Sequence, residues 1–174
     1  MTKELTIAVV GATGAVGQEI LKVMEERKIP YKELRLLASA RSAGTEIEYQ
    51  GKTYVVQETT ENSFDDVDLA LFAGGPASRA YGRLAQSKGC VVIDNSSTFR
   101  LEPDVPLVVP EVNPEALKDH KGLIANPNCS TILLVSALYP LYKKSKVKRV
   151  IVSTYQAVSG AGKEAIDELT LQVK

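Results

Sequence analysis

Apolar and polar residues follow two different periods along this chain. Short runs of apolar and β-branched residues predict buried strands, and the longer stretches between them carry apolar positions at helical spacing, which predicts amphipathic helices. Strands that alternate with helices in this order are typical of βαβ units and a parallel sheet. The predicted strands are residues 5–10, 34–38, 69–73, 91–94, 107–109, 122–125 and 147–155, and the predicted helices are residues 16–28, 78–87, 114–118, 131–142 and 163–174.

Two segments interrupt this alternation. Residues 47–49 and 54–56 flank Gly51 and Lys52, which predicts a β-hairpin inserted into the α/β pattern. Residues 95–106 are rich in Ser, Pro and Asn, so we expect irregular chain there. The fold class that follows is α/β, with a Rossmann-like, mostly parallel sheet and helices on both of its faces.

The composition is that of an ordinary globular protein that can bury a core. Of its 174 residues, 44% are hydrophobic and 24% are charged, and 21 Lys and Arg balance 21 Asp and Glu. A formal net charge of zero argues against binding to nucleic acid by phosphate neutralisation. No apolar run approaches the roughly 20 residues of a membrane span, and the N-terminus lacks a secretory signal, so we expect no membrane partner and a cytoplasmic protein. Two cysteines and one histidine predict neither a disulfide framework nor a metal site.

Three glycines lie between the first predicted strand and the first predicted helix. Gly11, Gly14 and Gly17 have the spacing G-x-x-G-x-x-G, a variant of the dinucleotide-binding G-x-G-x-x-G. Glycines there permit a tight turn and let backbone N–H groups approach a pyrophosphate at the positive end of the helix. The alternative is a turn that needs glycine only for its backbone angles. The strand before it and the helix after it favour a nucleotide site.

The second predicted strand indicates which nucleotide. NAD-specific folds commonly place Asp or Glu about 20 residues past the glycines, where it binds the ribose 2′-hydroxyl. This strand ends without an acid, at Ser39, Arg41 and Ser42. A guanidinium fork and two hydroxyls suit a 2′-phosphate and predict NADP, whereas an ordinary polar loop is the alternative. The next strand ends at Ala73 and Gly74, which either contact the cofactor or form a turn only.

The two cysteines differ in their surroundings. Cys90 begins a predicted buried strand and is interpreted as a core residue. Cys129 lies immediately before a strongly apolar helix. The positive potential at a helix N-terminus stabilises a thiolate, which would make Cys129 a nucleophile. Its position alone leaves the alternative open that Cys129 is a small buried residue.

Five short motifs occur in an order that resembles one family. Together they make essentially the whole chain similar to the aspartate-semialdehyde dehydrogenases of the bacterial type. Thr98 is a small departure, because that family is expected to have Ala at this position. The motifs are GATGAVG at residues 11–17, SARSAG at 39–44, DNSSTFR at 94–100, NPNCST at 126–131 and YQAVSGAG at 155–162.

The resemblance implies an oxidoreductase that reduces L-aspartyl 4-phosphate to L-aspartate 4-semialdehyde with NADPH and releases phosphate, by way of a cysteine thioester. That step feeds the synthesis of lysine through diaminopimelate, and of threonine, methionine and isoleucine. Cys129 matches the catalytic nucleophile, Gln156 the residue that positions the substrate, and Arg100 a residue that binds the phosphate group. Asn95 and Asn128 match polar positions of the active site. The expected cofactor contacts are Gly11, Thr13, Gly14, Ala15, Val16, Gly17, Ser39, Arg41, Ser42, Ala73, Gly74, Ser159 and Gly160.

One residue that the family requires has no match in this sequence. The family uses a histidine as general acid and base, and the single histidine here, His120, lies in a polar loop without a motif around it. We therefore expect the chain to be the N-terminal portion of such an enzyme and to be inactive alone. Residues 1–127 would form the NADP-binding domain. Residues 128–174 would begin the α+β substrate-binding and dimerisation domain of a homodimer or homotetramer.

Two other functions stay open. An N-acetyl-γ-glutamyl-phosphate reductase would share the fold and the thioester chemistry, although residues 126–131 and 41–42 favour the first family. The other is a non-catalytic NADP-binding module. The retention of Cys129, Arg100 and Gln156 speaks against that module.

Overall fold

A computed structural model describes residues 4–173 of the chain. The α/β fold predicted from the sequence is confirmed, with strands and helices alternating along the chain. Within these residues, no helix is both long enough and apolar enough to cross a membrane. The strands are β1 (Leu5–Val10), β2 (Tyr31–Ala38), β3 (Glu46–Tyr49), β4 (Lys52–Val55), β5 (Gln57–Glu58), β6 (Leu69–Phe72), β7 (Val91–Asp94) and β8 (Leu123–Ala125), and the α-helices are α1 (Ala15–Glu26), α2 (Gly75–Ser87), α3 (Cys129–Ser145) and α4 (Lys163–Gln172).

Six of these strands form one parallel sheet, in the order β5-β2-β1-β6-β7-β8. β3 and β4 form a separate antiparallel hairpin, as the sequence predicts, although it turns at Gln50 and Gly51 rather than at Gly51 and Lys52. The carboxyl ends of parallel strands lie at one edge of a sheet. The loops that follow β1, β2, β6, β7 and β8 therefore meet at that edge.

Apolar layers cover both faces of the sheet. Successive residues of β1 point to opposite layers, so Val10 packs in the layer that contains Ala85 of α2, and Val9 packs in the layer that contains Leu21 of α1. Burial on both sides explains why β1 is a continuous apolar run rather than an alternating one. The predicted placement of helices on both faces is confirmed.

Cys90 belongs to the core, as predicted. It lies just before β7 and is 1% exposed. Burial raises the pKa of its thiol to about 12, because a thiolate would lose its hydration there. Cys90 is therefore a packing residue and not a nucleophile.

Two short predicted elements take another form. Residues 107–109 were predicted to form a strand, but only Leu107 forms a β-bridge, with Ala125. The side chain of Asn113 accepts a hydrogen bond from the Val109 N–H and donates one to the Leu107 carbonyl oxygen, so it occupies groups that a strand would pair. The predicted helix at residues 114–118 is a 3-10 helix, Pro114–Asp119.

The long strand predicted at residues 147–155 is wrong. The segment has no regular secondary structure, and Ile151 and Tyr155 are 88% and 99% exposed. A strand requires a neighbour that satisfies its backbone N–H and C=O groups, and no strand within residues 4–173 lies beside this segment. The helix predicted to start at Lys163 is confirmed as α4, although its predicted last residue, Lys174, is outside the described residues.

Candidate functional site

A cavity of about 540 Å³ opens at the carboxyl edge of the sheet, where β1, β2 and β6 end. Three connections surround it: the glycine loop at residues 11–14, the turn at residues 39–42 and the link between β6 and α2. In open α/β sheets this edge is where nucleotides bind. The cavity is therefore the candidate cofactor site.

The backbone of the glycine loop shows why its ends are glycine. Gly11 has a φ of +85°, and its N–H donates to the carbonyl oxygen of Leu37 at 2.8 Å. A Cβ atom on Gly17 would lie 2.2 Å from the Gly11 carbonyl oxygen, so glycine allows α1 to pack this closely against the loop. Gly14 is the N-cap of α1 and has no capping side chain. The N–H groups of the first helical turn are therefore left for a ligand.

Eight of the thirteen predicted cofactor residues line the cavity. Gly17 lies behind the loop, whereas Ala15 and Val16 are on the exposed first turn of α1. Ser159 and Gly160 belong to the 3-10 turn Val158–Ala161, outside the cavity wall. As cofactor contacts, these five residues remain predictions. The eight that line the cavity are Gly11, Thr13, Gly14, Ser39, Arg41, Ser42, Ala73 and Gly74.

Sequence reasoning missed one wall of the cavity. The strand β5 pairs in parallel with the end of β2, with Glu58 opposite Ala38. The N–H and the hydroxyl of Thr59 both donate to the Ala38 carbonyl oxygen, at 2.8 and 2.9 Å. Glu58 and Thr59 line the cavity as a result. A strand of two residues is too short to show a hydrophobic period, so the sequence carried no signal for it.

The first turns of α2 form another wall that was missed. Pro76, Ala77 and Tyr81 line the cavity. The sequence predicts this helix from residue 78, whereas it starts at Gly75. If the predicted helix had begun at Gly75, Ala77 and Tyr81 would have been predicted on one face of it, because they are four residues apart.

A buried carboxylate braces the link between β6 and α2. Asp94, the last residue of β7, is completely buried and accepts hydrogen bonds from the Ser78 hydroxyl at 2.5 Å and the Ser96 hydroxyl at 2.7 Å. The Ser78 hydroxyl also lies 2.9 Å from the carbonyl oxygen of Gly74 in the cavity wall. Thr98, the departure from the expected motif, extends the network, since its hydroxyl lies 2.8 Å from that of Ser96.

Arg100 joins the ends of two strands. Its Nε donates to the Asn126 carbonyl oxygen at 2.9 Å, and its Nη2 donates to the Asn95 carbonyl oxygen at 3.0 Å. The side-chain amide of Asn126 donates to Oδ1 of Asn95 at 2.8 Å. Nη1 of Arg100 has no acceptor within residues 4–173, so the guanidinium keeps donors for a ligand while its position is held.

Cys129 is the first residue of α3 and is exposed, which excludes the alternative of a buried core thiol. Asn128 is the N-cap of this helix, and its side-chain oxygen accepts from the N–H groups of Ser130 at 3.0 Å and Thr131 at 3.3 Å. The side-chain amide of Gln156 donates to the sulfur of Cys129 at 3.7 Å. The structure thus brings together three of the predicted active-site residues.

His120 has a local role. Its Nδ1 accepts a hydrogen bond from the Gly122 N–H at 3.0 Å, in the turn that precedes β8. Among the described residues, no three His, Cys, Asp or Glu side chains lie close enough together to hold a metal ion.

Two family models match the chain. Residues 6–120 match the model described as semialdehyde dehydrogenase, NAD binding domain, and residues 138–174 match the model described as semialdehyde dehydrogenase, dimerisation domain. The first match covers the strands and loops that form the cavity.

One curated relative and two solved structures that this chain resembles are aspartate-semialdehyde dehydrogenases. An aspartate-semialdehyde dehydrogenase of Aquifex aeolicus is 58% identical over 97% of this chain and 51% of its own length. The chain spans about half the length of the curated relatives that it matches. A structure of aspartate semialdehyde dehydrogenase II from Vibrio cholerae, complexed with ASA, has a TM-score of 0.93 and 48% identity over 98% of this chain and 52% of its own. One from Candida albicans with NADP has a TM-score of 0.65 and 27% identity over 83% of this chain and 48% of its own.

Proposed function

The chain belongs to the semialdehyde dehydrogenase family, and we propose that it carries the cofactor site and the nucleophile of an aspartate-semialdehyde dehydrogenase. The proposed reaction reduces L-aspartyl 4-phosphate to L-aspartate 4-semialdehyde with NADPH and releases phosphate. It would serve lysine, threonine, methionine and isoleucine synthesis in the cytoplasm. The observation that carries the proposal is the contact between Gln156 and the exposed thiol of Cys129.

Cys129 is the proposed nucleophile. Its thiolate attacks the acyl carbon, so that a C–S bond forms while the C–O bond to the phosphate breaks and phosphate leaves with the electron pair. The carbonyl oxygen gains negative charge in this step and needs a donor. Asn128 already occupies the N–H groups of Ser130 and Thr131, which leaves the N–H of Cys129 itself for that oxygen.

Gln156 and Arg100 are the proposed substrate-positioning groups. The Gln156 amide lies against the Cys129 sulfur and can hold the substrate at the attacking atom. Arg100 is fixed by its bonds to the ends of β7 and β8, and its Nη1 is left to bind the phosphate. Asn95 stands behind this arginine, because its carbonyl oxygen accepts from Nη2.

The residues around the cavity fit the pyrophosphate and the 2′-phosphate of NADP. The first-turn N–H groups of α1 suit a pyrophosphate. Arg41 lines the cavity with Ser39 and Ser42, and this set of donors supports a 2′-phosphate site. The Candida albicans relative was solved with NADP, which supports the choice of NADP. A bound nicotinamide supplies the hydride that reduces the thioester.

We also propose a division of the chain at residue 127 and assembly as a homodimer or homotetramer. The last strand of the sheet ends at Ala125 and α3 starts at Cys129, which supports the division. The match to a dimerisation domain supports self-association. Exposed apolar side chains in that part of the chain, such as Leu133 and Leu171, fit such an interface.

Acylation of the thiol tests the proposed mechanism. The complete gene product, mixed with L-aspartyl 4-phosphate in the absence of cofactor, should release phosphate and gain an aspartyl group on Cys129, which peptide mass spectrometry detects. The variant Cys129→Ala should lose both signals, whereas Cys90→Ala should keep both. Phosphate release without a modified Cys129 would contradict the mechanism.

Two further measurements address the alternatives. The 174-residue chain alone should not oxidise NADPH in the presence of the acyl phosphate, because His120 is committed to its turn. Comparing L-aspartyl 4-phosphate with N-acetyl-γ-glutamyl phosphate on the complete gene product distinguishes the proposed enzyme from the related reductase. A non-catalytic module would acylate with neither.

A further inference from the structure

An acidic residue lies in the wall of the candidate cofactor cavity, beside the end of β2. Glu58 lines the cavity and is the register partner of Ala38, the last residue of β2. Register partners on neighbouring strands project to the same face of a sheet. The end of β2 is where dinucleotide-binding folds commonly place an acid for the ribose 2′-hydroxyl. Here the acid comes from the adjacent strand.

Hydrogen bonds hold the backbone on both sides of Glu58. Thr59, the next residue, is buried and holds the Ala38 carbonyl oxygen with both its N–H and its hydroxyl. The hydroxyl of Ser63 lies 3.3 Å from the Glu58 carbonyl oxygen and ties the other side of this backbone. The side chain of Glu58 itself is exposed and has no hydrogen-bond donor among the described residues.

A cation lines the same cavity. Arg41 follows β2 in the 3-10 turn Ala40–Ser42, and it forms no ion pair within residues 4–173. Among the same described residues, Glu58 forms no ion pair either. The two charges therefore do not neutralise each other, and each is available to a nucleotide.

The two groups favour different nucleotides. A 2′-phosphate carries up to about two negative charges, which a guanidinium attracts and a carboxylate repels. A 2′-hydroxyl can donate a hydrogen bond to a carboxylate and gains little from the guanidinium. Arg41 and Glu58 thus act in opposite directions on the selectivity between NADPH and NADH.

We propose that Glu58 is a specificity-determining residue that weakens the preference for NADPH set by Arg41, so that the cavity also accepts NADH. This inference rests on the proposed function, because it requires that the cavity bind a nicotinamide dinucleotide. It extends that function by assigning a role to an acid that the sequence motifs do not include.

Equilibrium binding of NADPH and NADH to the 174-residue chain tests the role of Glu58. The variant Glu58→Gln removes the charge and keeps the shape of an exposed side chain. We expect it to lower the Kd of NADPH about fivefold, as expected for one unit charge several ångströms away in a high-dielectric site. The Kd of NADH should stay the same or rise. The matched control is Glu61→Gln, three residues along and outside the cavity wall, which should change neither Kd.

Salt and a second variant separate the possible results. The gain in NADPH binding by Glu58→Gln should shrink when the ionic strength is raised from about 0.05 M to about 1 M, because charge repulsion is screened and packing is not. Arg41→Ala should weaken NADPH at least about tenfold and leave NADH nearly unchanged. If Glu58→Gln changes neither Kd, or both equally, the role of Glu58 is overturned while the cofactor site stands. If wild type binds neither nucleotide, the proposed cofactor site is overturned as well.

Discussion

A Cβ atom on Gly160 would lie 2.0 Å from the side-chain amide nitrogen of Gln156. That same nitrogen donates to the sulfur of Cys129. The absence of a side chain at residue 160 is therefore what allows the amide to reach the thiol. Because the atom in the way is the end of a flexible side chain, a larger residue there should move the amide rather than disrupt the fold.

We predict that Gly160→Ala displaces the Gln156 amide. If the complete protein has the proposed activity, its KM for the acyl phosphate should then rise about tenfold, because the substrate is held less well at the thiol. The melting temperature should stay nearly unchanged. Steady-state kinetics and thermal unfolding check the two parts. A double-mutant cycle provides the control: in a Gln156→Ala background, Gly160→Ala should have no further effect. Full additivity would show that Gly160 acts elsewhere.

Gly17→Ala should lower the stability of the protein, whereas Gly160→Ala should not. The added Cβ would overlap the backbone of Gly11 and Ala12, which cannot move without separating α1 from β1. We expect the free energy of unfolding to fall by about 3 kcal/mol, measured by urea denaturation. Gly74→Ala is the matched control for stability, because Gly74 has a φ of −148° and open space around its Cα. Equal losses in the two variants would contradict the packing argument.

Ser78→Ala should destabilise the protein through Asp94. The variant removes the hydroxyl donor from one oxygen of a completely buried carboxylate and leaves that oxygen with only the N–H of Ser96, at 3.1 Å. We expect a loss of about 2 kcal/mol in the free energy of unfolding. Ser87→Ala is the control on the same helix, since its exposed hydroxyl bonds only to the Leu84 carbonyl oxygen and should matter little. A loss no larger than that of the control would show that Asp94 does not need this donor.

Cys90 should make stability depend on alkaline pH. The folded protein raises the pKa of this thiol from its ordinary value of 9.0 to about 12, so the folded state binds the proton more tightly than the unfolded state. The resulting stability is fully present below pH about 9 and is lost as the pH rises toward about 12. Tyr31 and Tyr49, whose pKa values are also raised, act in the same direction.

The variant Cys90→Ala isolates the contribution of the thiol. Its free energy of unfolding should be lower overall, because a small cavity replaces the sulfur, but it should fall less steeply between pH 9 and 12 than that of wild type. Cys129→Ser, which changes an exposed thiol, should keep the wild-type slope. Identical slopes for wild type and Cys90→Ala would show that the tyrosines account for the alkaline loss.

The sequence predicted a strand correctly where an apolar run also has neighbouring strands to pair with. The run Leu5–Val10 is buried on both faces and pairs on both sides, so its apolar pattern led directly to β1. The run at residues 147–155 is likewise rich in β-branched residues but has no partner strand within the described residues, and pattern alone does not reveal a missing partner. The strand β5 was missed for the opposite reason. It has a partner strand, β2, but its two polar residues show no apolar pattern from which a strand could be predicted.

The site followed the same rule. Glycines and Cys129 could be placed because a strand–turn–helix sequence determines where they lie, and the structure has them at the expected helix starts. The carboxylate of Glu58 reaches the cavity through pairing between distant parts of the chain, which the motif does not encode. The absence of an acid at the end of β2 therefore did not mean the absence of an acid at the cavity.

The exposed run of residues 150–155 affects how the chain behaves at high concentration. Five of its six residues, all except Ser153, have strong β-propensity. The run carries no charge, and its backbone groups have no partner among the described residues. These properties allow copies of a chain to add to one another as intermolecular β-sheet. Lys148 and Arg149 directly precede it and put two positive charges at its start. We expect these charges to repel between copies and to oppose such addition, and we expect that effect to weaken as salt shortens the range of the repulsion.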